Sequence, residues 1–176
     1  TVAGSIGAKD FAAGIFAASL PMKEEDETLS KLVNHAKVTA DGTAAGIVAQ
    51  TKEKVLLEDC VNTGVIEAAV AAGITTAECE NLVLMRCQNY APIISSDNES
   101  YGITSNLTAN LTDCVGVSEN VYPIAADANE SENCLYFISG GEKLEDALLA
   151  DICDISLTIG ETDANGSYRE YPFMEA

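Results

Sequence analysis

Six cysteines, Cys60, Cys79, Cys87, Cys114, Cys134 and Cys153, constrain this 176-residue chain more than any other feature. An even set must be paired with itself, ligate a metal or be buried as thiols. The intervening stretches are 18, 7, 26, 19 and 18 residues long, no Cys-x-x-Cys pair occurs, and the single histidine, His35, lies outside the cysteine-bearing region. A zinc site asks for short paired spacings, so structural disulfides that staple the fold are the expectation, with partners that spacing alone does not choose. One pairing is disfavoured. The stretch TTAECENLVLMRCQNY, 75–90, reads as a helix with Thr75 and Glu78 as a capping box and Cys79, Val83 and Cys87 on one face. Eight helical residues span about 12 Å, beyond the roughly 7 Å that a disulfide bridges.

Five Asn-x-Ser/Thr triplets, at Asn98, Asn106, Asn110, Asn129 and Asn165, all lie after residue 97 and none has a central proline. Eleven asparagines and 25 Ser plus Thr in 176 residues give 11 × 25/176, about 1.6 such triplets by chance, so five is an enrichment. Two of them stand four residues apart in NLTANLTDC, 106–114, where a one-sided sugar coat over an apolar seam is expected. Sequons and cysteines together predict an extracellular or cell-surface glycoprotein carrying N-linked glycans. The opening TVAGSIG has neither an initiator methionine nor the pattern of a signal peptide, as a mature chain would look.

The charge balance narrows the partners. With 28 acidic and 9 basic residues the formal charge is −19, and between Lys54 and Lys143 the only basic side chain is Arg86. Such a surface repels phosphate backbones and anionic lipid heads, which excludes nucleic acid and peripheral membrane binding. No apolar run is long enough to span a bilayer, so no membrane span is expected.

The spacing predicts an α+β fold in one domain, 1–176: a helix-rich N-terminal half followed by a small, mainly antiparallel β-sheet. Helices are expected near 23–36, 44–58, 64–72, 76–89 and 140–153. The composition shifts near 91–97, after which 103–115 alternates as a half-buried strand. VYPIAA at 121–126, CLYFIS at 134–139 and ISLTIG at 155–160 read as further strands, and NGSY at 165–168 turns a final hairpin into REYPF. No internal repeat emerges. Residues 1–20, small and apolar, suit either a core helix or an arm that docks into a neighbouring copy.

Catalytic chemistry finds little purchase. A Ser-His-Asp or Cys-His arrangement must use His35, and no Gly-x-Ser-x-Gly elbow exists; a solvent-facing helix histidine is the expectation. The acidic runs KEEDET, 23–28, and DANESEN, 127–133, lack the pattern of a calcium loop and read as solvated. No phosphate-cradling loop is present, so no cofactor or metal is expected. The sequence therefore predicts a non-enzymatic, disulfide-bonded structural subunit of an extracellular, possibly-filament-forming assembly whose partners are copies of itself. A monomeric secreted carrier with a closed cavity is the alternative, and a secreted acid-pair hydrolase the third reading.

Overall fold

The computed structural model describes residues 1–17, 27–51, 55–77, 79, 82–106, 108–117, 124–125, 131–132, 134–139, 157–162 and 168–171. Among these every regular element is a β-strand, and the strands wind into a parallel β-solenoid. Strands are numbered in chain order. One sheet stacks β3 (Glu27–Ser30), β7 (Val55–Glu58), β10 (Leu82–Met85), β13 (Asn110–Thr112) and β15 (Ser131–Glu132), all parallel. A second stacks β4 (Val33–Asn34), β8 (Val61–Asn62), β11 (Gln88–Asn89), β14 (Val115–Val117) and β16 (Leu135–Ser139), then ends in antiparallel β17 (Leu157–Thr162) and β18 (Tyr168–Tyr171). The third holds β1 (Ser5–Ala8) and β5 (Lys37–Ala40) beside β2 (Phe11–Ala13) and β6 (Thr43–Ala45), with β9 (Ile66–Ala72) and β12 (Ile93–Tyr101) running through both halves.

Register fixes the length of each turn of the solenoid, or rung. Ser30 pairs Glu58, Glu58 pairs Met85, Met85 pairs Thr112 and Thr112 pairs Glu132, steps of 28, 27, 27 and 20 residues. Equal steps put like residues above one another at the roughly 4.8 Å spacing of neighbouring strands. Leu29, Leu57, Leu84 and Leu111 form one column. Ile47, Ile74, Ile103 and Ile124 form another, linked by main-chain hydrogen bonds of 2.8–3.0 Å. Both enter one buried cluster, whereas the wall behind β9 is built from small residues such as Ala12, Ala44 and Ala71.

The corner leaving the second sheet is built by a polar ladder. Asn34, Asn62 and Asn89 are each fully buried. Asn34 Nδ2 donates to Asn62 Oδ1 at 2.8 Å, and Asn62 Nδ2 donates to Asn89 Oδ1 at 2.7 Å. Each also braces its own turn, donating to the carbonyl and accepting from the amide two residues on, at Ala36, Gly64 and Ala91. Opposite them stand Gly14, Gly46 and Gly73. A Cβ on Gly46 would lie 2.0 Å from the Gly73 carbonyl oxygen and 2.6 Å from Asn62 Cγ, so only a hydrogen fits between the two ladders.

These observations correct the sequence reading. The helices expected at 23–36, 44–58, 64–72 and 76–89 are absent from the described parts of those ranges, the sheets are parallel rather than antiparallel, and a 27–28-residue repeat is present. Helix propensity in the Ala-, Leu- and Glu-rich stretches is overridden because Asn and Gly break the chain at each corner, and main-chain groups pair with the next rung instead. The 140–153 helix lies outside the described residues. The antiparallel hairpin between β17 and β18 and the strand within 134–139 are present as expected. Residues 1–17 form the first rung, paired through β1 and β2 to β5 and β6 of the same chain, not a core helix. The composition shift at 91–97 falls on β12.

Asn62→Ala removes the central amide and its links to both neighbours, and at about 1–3 kcal/mol per buried group left unpaired it should cost about 3 kcal/mol or more in urea unfolding. Asn34→Ala, at the ladder's end, should cost less. Gly46→Ala should cost about 3 kcal/mol by overpacking. Equal, small effects for all three would contradict the paired ladders.

Candidate functional site

The surface departs from a regular ladder where rungs differ in length. Asp41 and Gly42 interrupt β5 and β6, and β12 shifts register between Ser95 and Glu99, whereas β9 runs straight through Ile66–Ala72 between them. The flanking rungs therefore bulge and the middle one does not. This leaves an open hollow of about 340 Å³ over Ala68 and Ala69, bordered by Asp41, Glu67, Ile94 and Ser96.

Ser95 fixes the bulge on one rim. Its Oγ donates to the Ala69 carbonyl at 2.5 Å and accepts from the Asp97 and Glu99 amides at 3.1 and 2.9 Å. Within that bulge Asn98 is exposed and adopts a left-handed φ of 60°, a conformation asparagine tolerates better than most residues. Glu67 pairs with Lys37 at 2.7 Å, both about half exposed, an ion pair that contributes little on its own. Ile94 remains 48 % exposed, one of two large hydrophobic residues on the described surface, the other being Tyr90.

A charged column occupies a different corner, between β3–β4, β7–β8, β10–β11 and β13–β14. Lys31, Asp59, Arg86 and Asp113 have φ of 56°, 53°, 51° and 53°, so four non-glycine residues with alternating charge share the left-handed region. Arg86 Nε donates to Asp59 Oδ1 at 2.7 Å, Nη2 donates to Asp59 Oδ2 at 3.3 Å, and Nη2 also pairs with Glu58. The Arg86 hydrogen bonds hold Asp59 below its ordinary value of 3.8; desolvation opposes this, and the charges of Arg86 and Lys31 add to it. Arg86 is correspondingly pushed up, first by Asp59 and then by Glu58.

Cys60, Cys87, Cys114 and Cys134 form a column of their own, each the residue before a paired strand position, and all are fully buried. Cys79 is buried in another stack, bridged to Thr51. The five are thiols with no disulfide between them, which corrects the expected stapling, while Cys153 lies outside the described residues. The regular cysteine spacing is the rung period. Cys60 is pushed up first by its thiol contact with Cys87, Cys114 by its contact with Cys134, and burial raises both; Cys87 is pulled down by the thiols of Cys114 and Cys60, with burial opposing.

The sequons separate. Asn98 and Asn110 are exposed, but Asn106 is 5 % exposed, its Nδ2 donates to the Cys79 carbonyl and its Oδ1 accepts from the Thr108 amide at 2.7 Å. The shared sugar-bearing side expected for Asn106 and Asn110 is therefore absent, because a turn ahead of β13 intervenes. Asn129 and Asn165 lie outside the described residues, as do most of KEEDET and DANESEN. His35 is exposed as expected, on a turn instead of a helix, with Nδ1 2.5 Å from Thr63 Oγ1, which itself donates to the Asn34 carbonyl at 3.2 Å.

Among the described residues no three His, Cys, Asp or Glu side chains converge to hold a metal, and no helix is long and apolar enough to cross a membrane. The hollow escaped the sequence reading, although its signal is visible once the rungs are aligned: Asp41-Gly42 and Ser96-Asp97-Asn98 are insertions relative to Ala69. No protein-family model, curated protein or solved structure matches the chain.

Because Asp59 has a depressed folded pKa, its contribution to stability is complete above the unfolded value of 3.8 and is lost as pH falls toward the folded value. Asp59→Asn keeps a residue that tolerates the left-handed backbone, so thermal unfolding should show it less stable than the parent at neutral pH, with the difference shrinking in acid. A difference independent of pH would contradict the pairing. In thiol titration, Cys60, Cys79, Cys87, Cys114 and Cys134 should be silent in the native protein and react once it is unfolded without reductant; fewer reactive thiols among these five would contradict the column.

Proposed function

We propose that this chain is a non-enzymatic structural β-solenoid of an extracellular or cell-surface assembly, built by contact between copies of itself and carrying N-linked glycans on its exposed sequons. The observation that supports this is the edge of the first rung. Among the described residues β1 pairs on one side only, with β5, and Ser5–Ala8 carries no charge, proline or bulge. Those are the devices that ordinarily stop an edge strand from pairing with another chain. An edge without them accepts a strand from a second copy, and a contact that repeats along the axis gives a filament.

The other features fit a scaffold. Asparagine, cysteine, leucine and isoleucine side chains are spent on axial columns, and buried thiols are shielded from oxidants outside the cell. Asn98 and Asn110 offer surface positions for glycans. A carrier domain requires a closed apolar cavity, whereas the described hollow is open and bordered by Asp41 and Glu67.

At a formal charge of −19 the copies repel one another, so association should strengthen as salt screens them. Light scattering on size-separated protein should show a mass above the monomer that grows with protein concentration and ionic strength. The double variant Ser5→Glu/Ala8→Glu, which charges the edge, should stay monomeric. A sharp monomer for the parent at every concentration and salt would overturn the proposal.

A further inference from the structure

We infer that the glycan on Asn98 folds down into the hollow beside it and covers Ile94, a step that rests on the reading of the exposed sequons as glycan carriers. Asn98 stands in the bulge of β12 that forms one wall of the hollow, two residues from the lining Ser96. That bulge is fixed by three hydrogen bonds at Ser95, so the attachment point keeps its place relative to the hollow. About 340 Å³ lies at the low end of the roughly 300–1,000 Å³ of small-molecule pockets, a size for one or two sugar rings and not for an extended oligosaccharide.

The lining has the chemistry of a sugar. Asp41 and Glu67 accept from sugar hydroxyls, the Ser96 hydroxyl donates or accepts, and Ile94 offers an apolar surface to the C–H face of a ring. Ala68 and Ala69 leave the centre free of bulk. The sugar is neutral, which suits a rim where Glu67 is already paired with Lys37 and Asp41 carries an unshared negative charge that would repel an anion. Asn110 provides the contrast: it lies in register with Val83 on a regular strand, away from the hollow, and its glycan would be surrounded by solvent.

Two changes remove the glycan by different routes. Asn98→Asp replaces the attachment residue with one that tolerates the left-handed backbone. Ser100→Ala destroys the sequon without touching Asn98; the Ser100 hydroxyl is buried with no hydrogen-bond partner among the described residues, and the preceding rungs hold alanine in that column, at Ala71, Ala44 and Ala12. With protein made in a glycosylating host, peptide mass reads occupancy at Asn98, and hydroxyl-radical footprinting reads the exposure of Ile94, with Tyr90 as the internal standard.

Ile94 should be oxidised several-fold faster in both variants than in the parent, with Tyr90 unchanged, and Asn110→Asp should leave Ile94 as in the parent. Equal oxidation of Ile94 in a parent whose Asn98 carries a glycan would overturn this inference and leave the glycoprotein reading intact. An Asn98 found bare in the parent would overturn both.

Discussion

The buried amide ladder of Asn34, Asn62 and Asn89 sets the terms for the rest of the molecule. A primary amide buried without partners is costly, and here each finds them only if the next rung presents another amide at strand spacing. Gly14, Gly46 and Gly73 stand close enough that no side chain can separate the two walls. Rung length is thereby held at the ladder, and the leucine, isoleucine and cysteine columns follow from it. Irregularity is pushed to the one part of the rung that the ladder does not brace, the outer edge of the third sheet, and the hollow lies there.

Part of this architecture was legible before any coordinates. The strand at Leu135–Ser139 and the β17–β18 hairpin show plain strand and turn signals, and the exposure of His35 follows from its lysine-flanked position. The solenoid was hidden for a physical reason. Its strands are often two to four residues long, so a period of two never runs far enough to register, and corners bring apolar residues back at spacings that imitate a helix. Cys79, Val83 and Cys87 illustrate this: they line one helical face on paper, yet Cys79 and Cys87 belong to different buried stacks and Val83 lies on an outward half-buried strand position. The repeat is carried by Val33-Asn34, Val61-Asn62 and Gln88-Asn89, and by Gly46-Ile47 and Gly73-Ile74, pairs too short to stand out unaligned.

The cysteines change meaning in this frame. Equal steps from Cys60 to Cys87 to Cys114 look like a disulfide framework but record the rung, and the column packs as small apolar groups do. The case for an extracellular setting then rests on the sequons, and among these the fold separates Asn98 and Asn110 from Asn106, whose amide is spent inside the protein. One triplet in NLTANLTDC is thus a structural turn and the other a surface strand, although the sequence writes them identically.

The account depends on rungs being interchangeable units of fixed length, and excising one tests that directly. Val55 pairs with Leu82, 82 − 55 = 27 residues on, so deleting residues 55–81 joins the chain in register and removes one whole rung. Circular dichroism with urea unfolding should show that this variant keeps the β-sheet signal and unfolds cooperatively, while deleting only residues 55–68, half a rung, abolishes the fold. Loss of structure in both deletions, or survival of both, would contradict a solenoid held in register by its asparagine ladder.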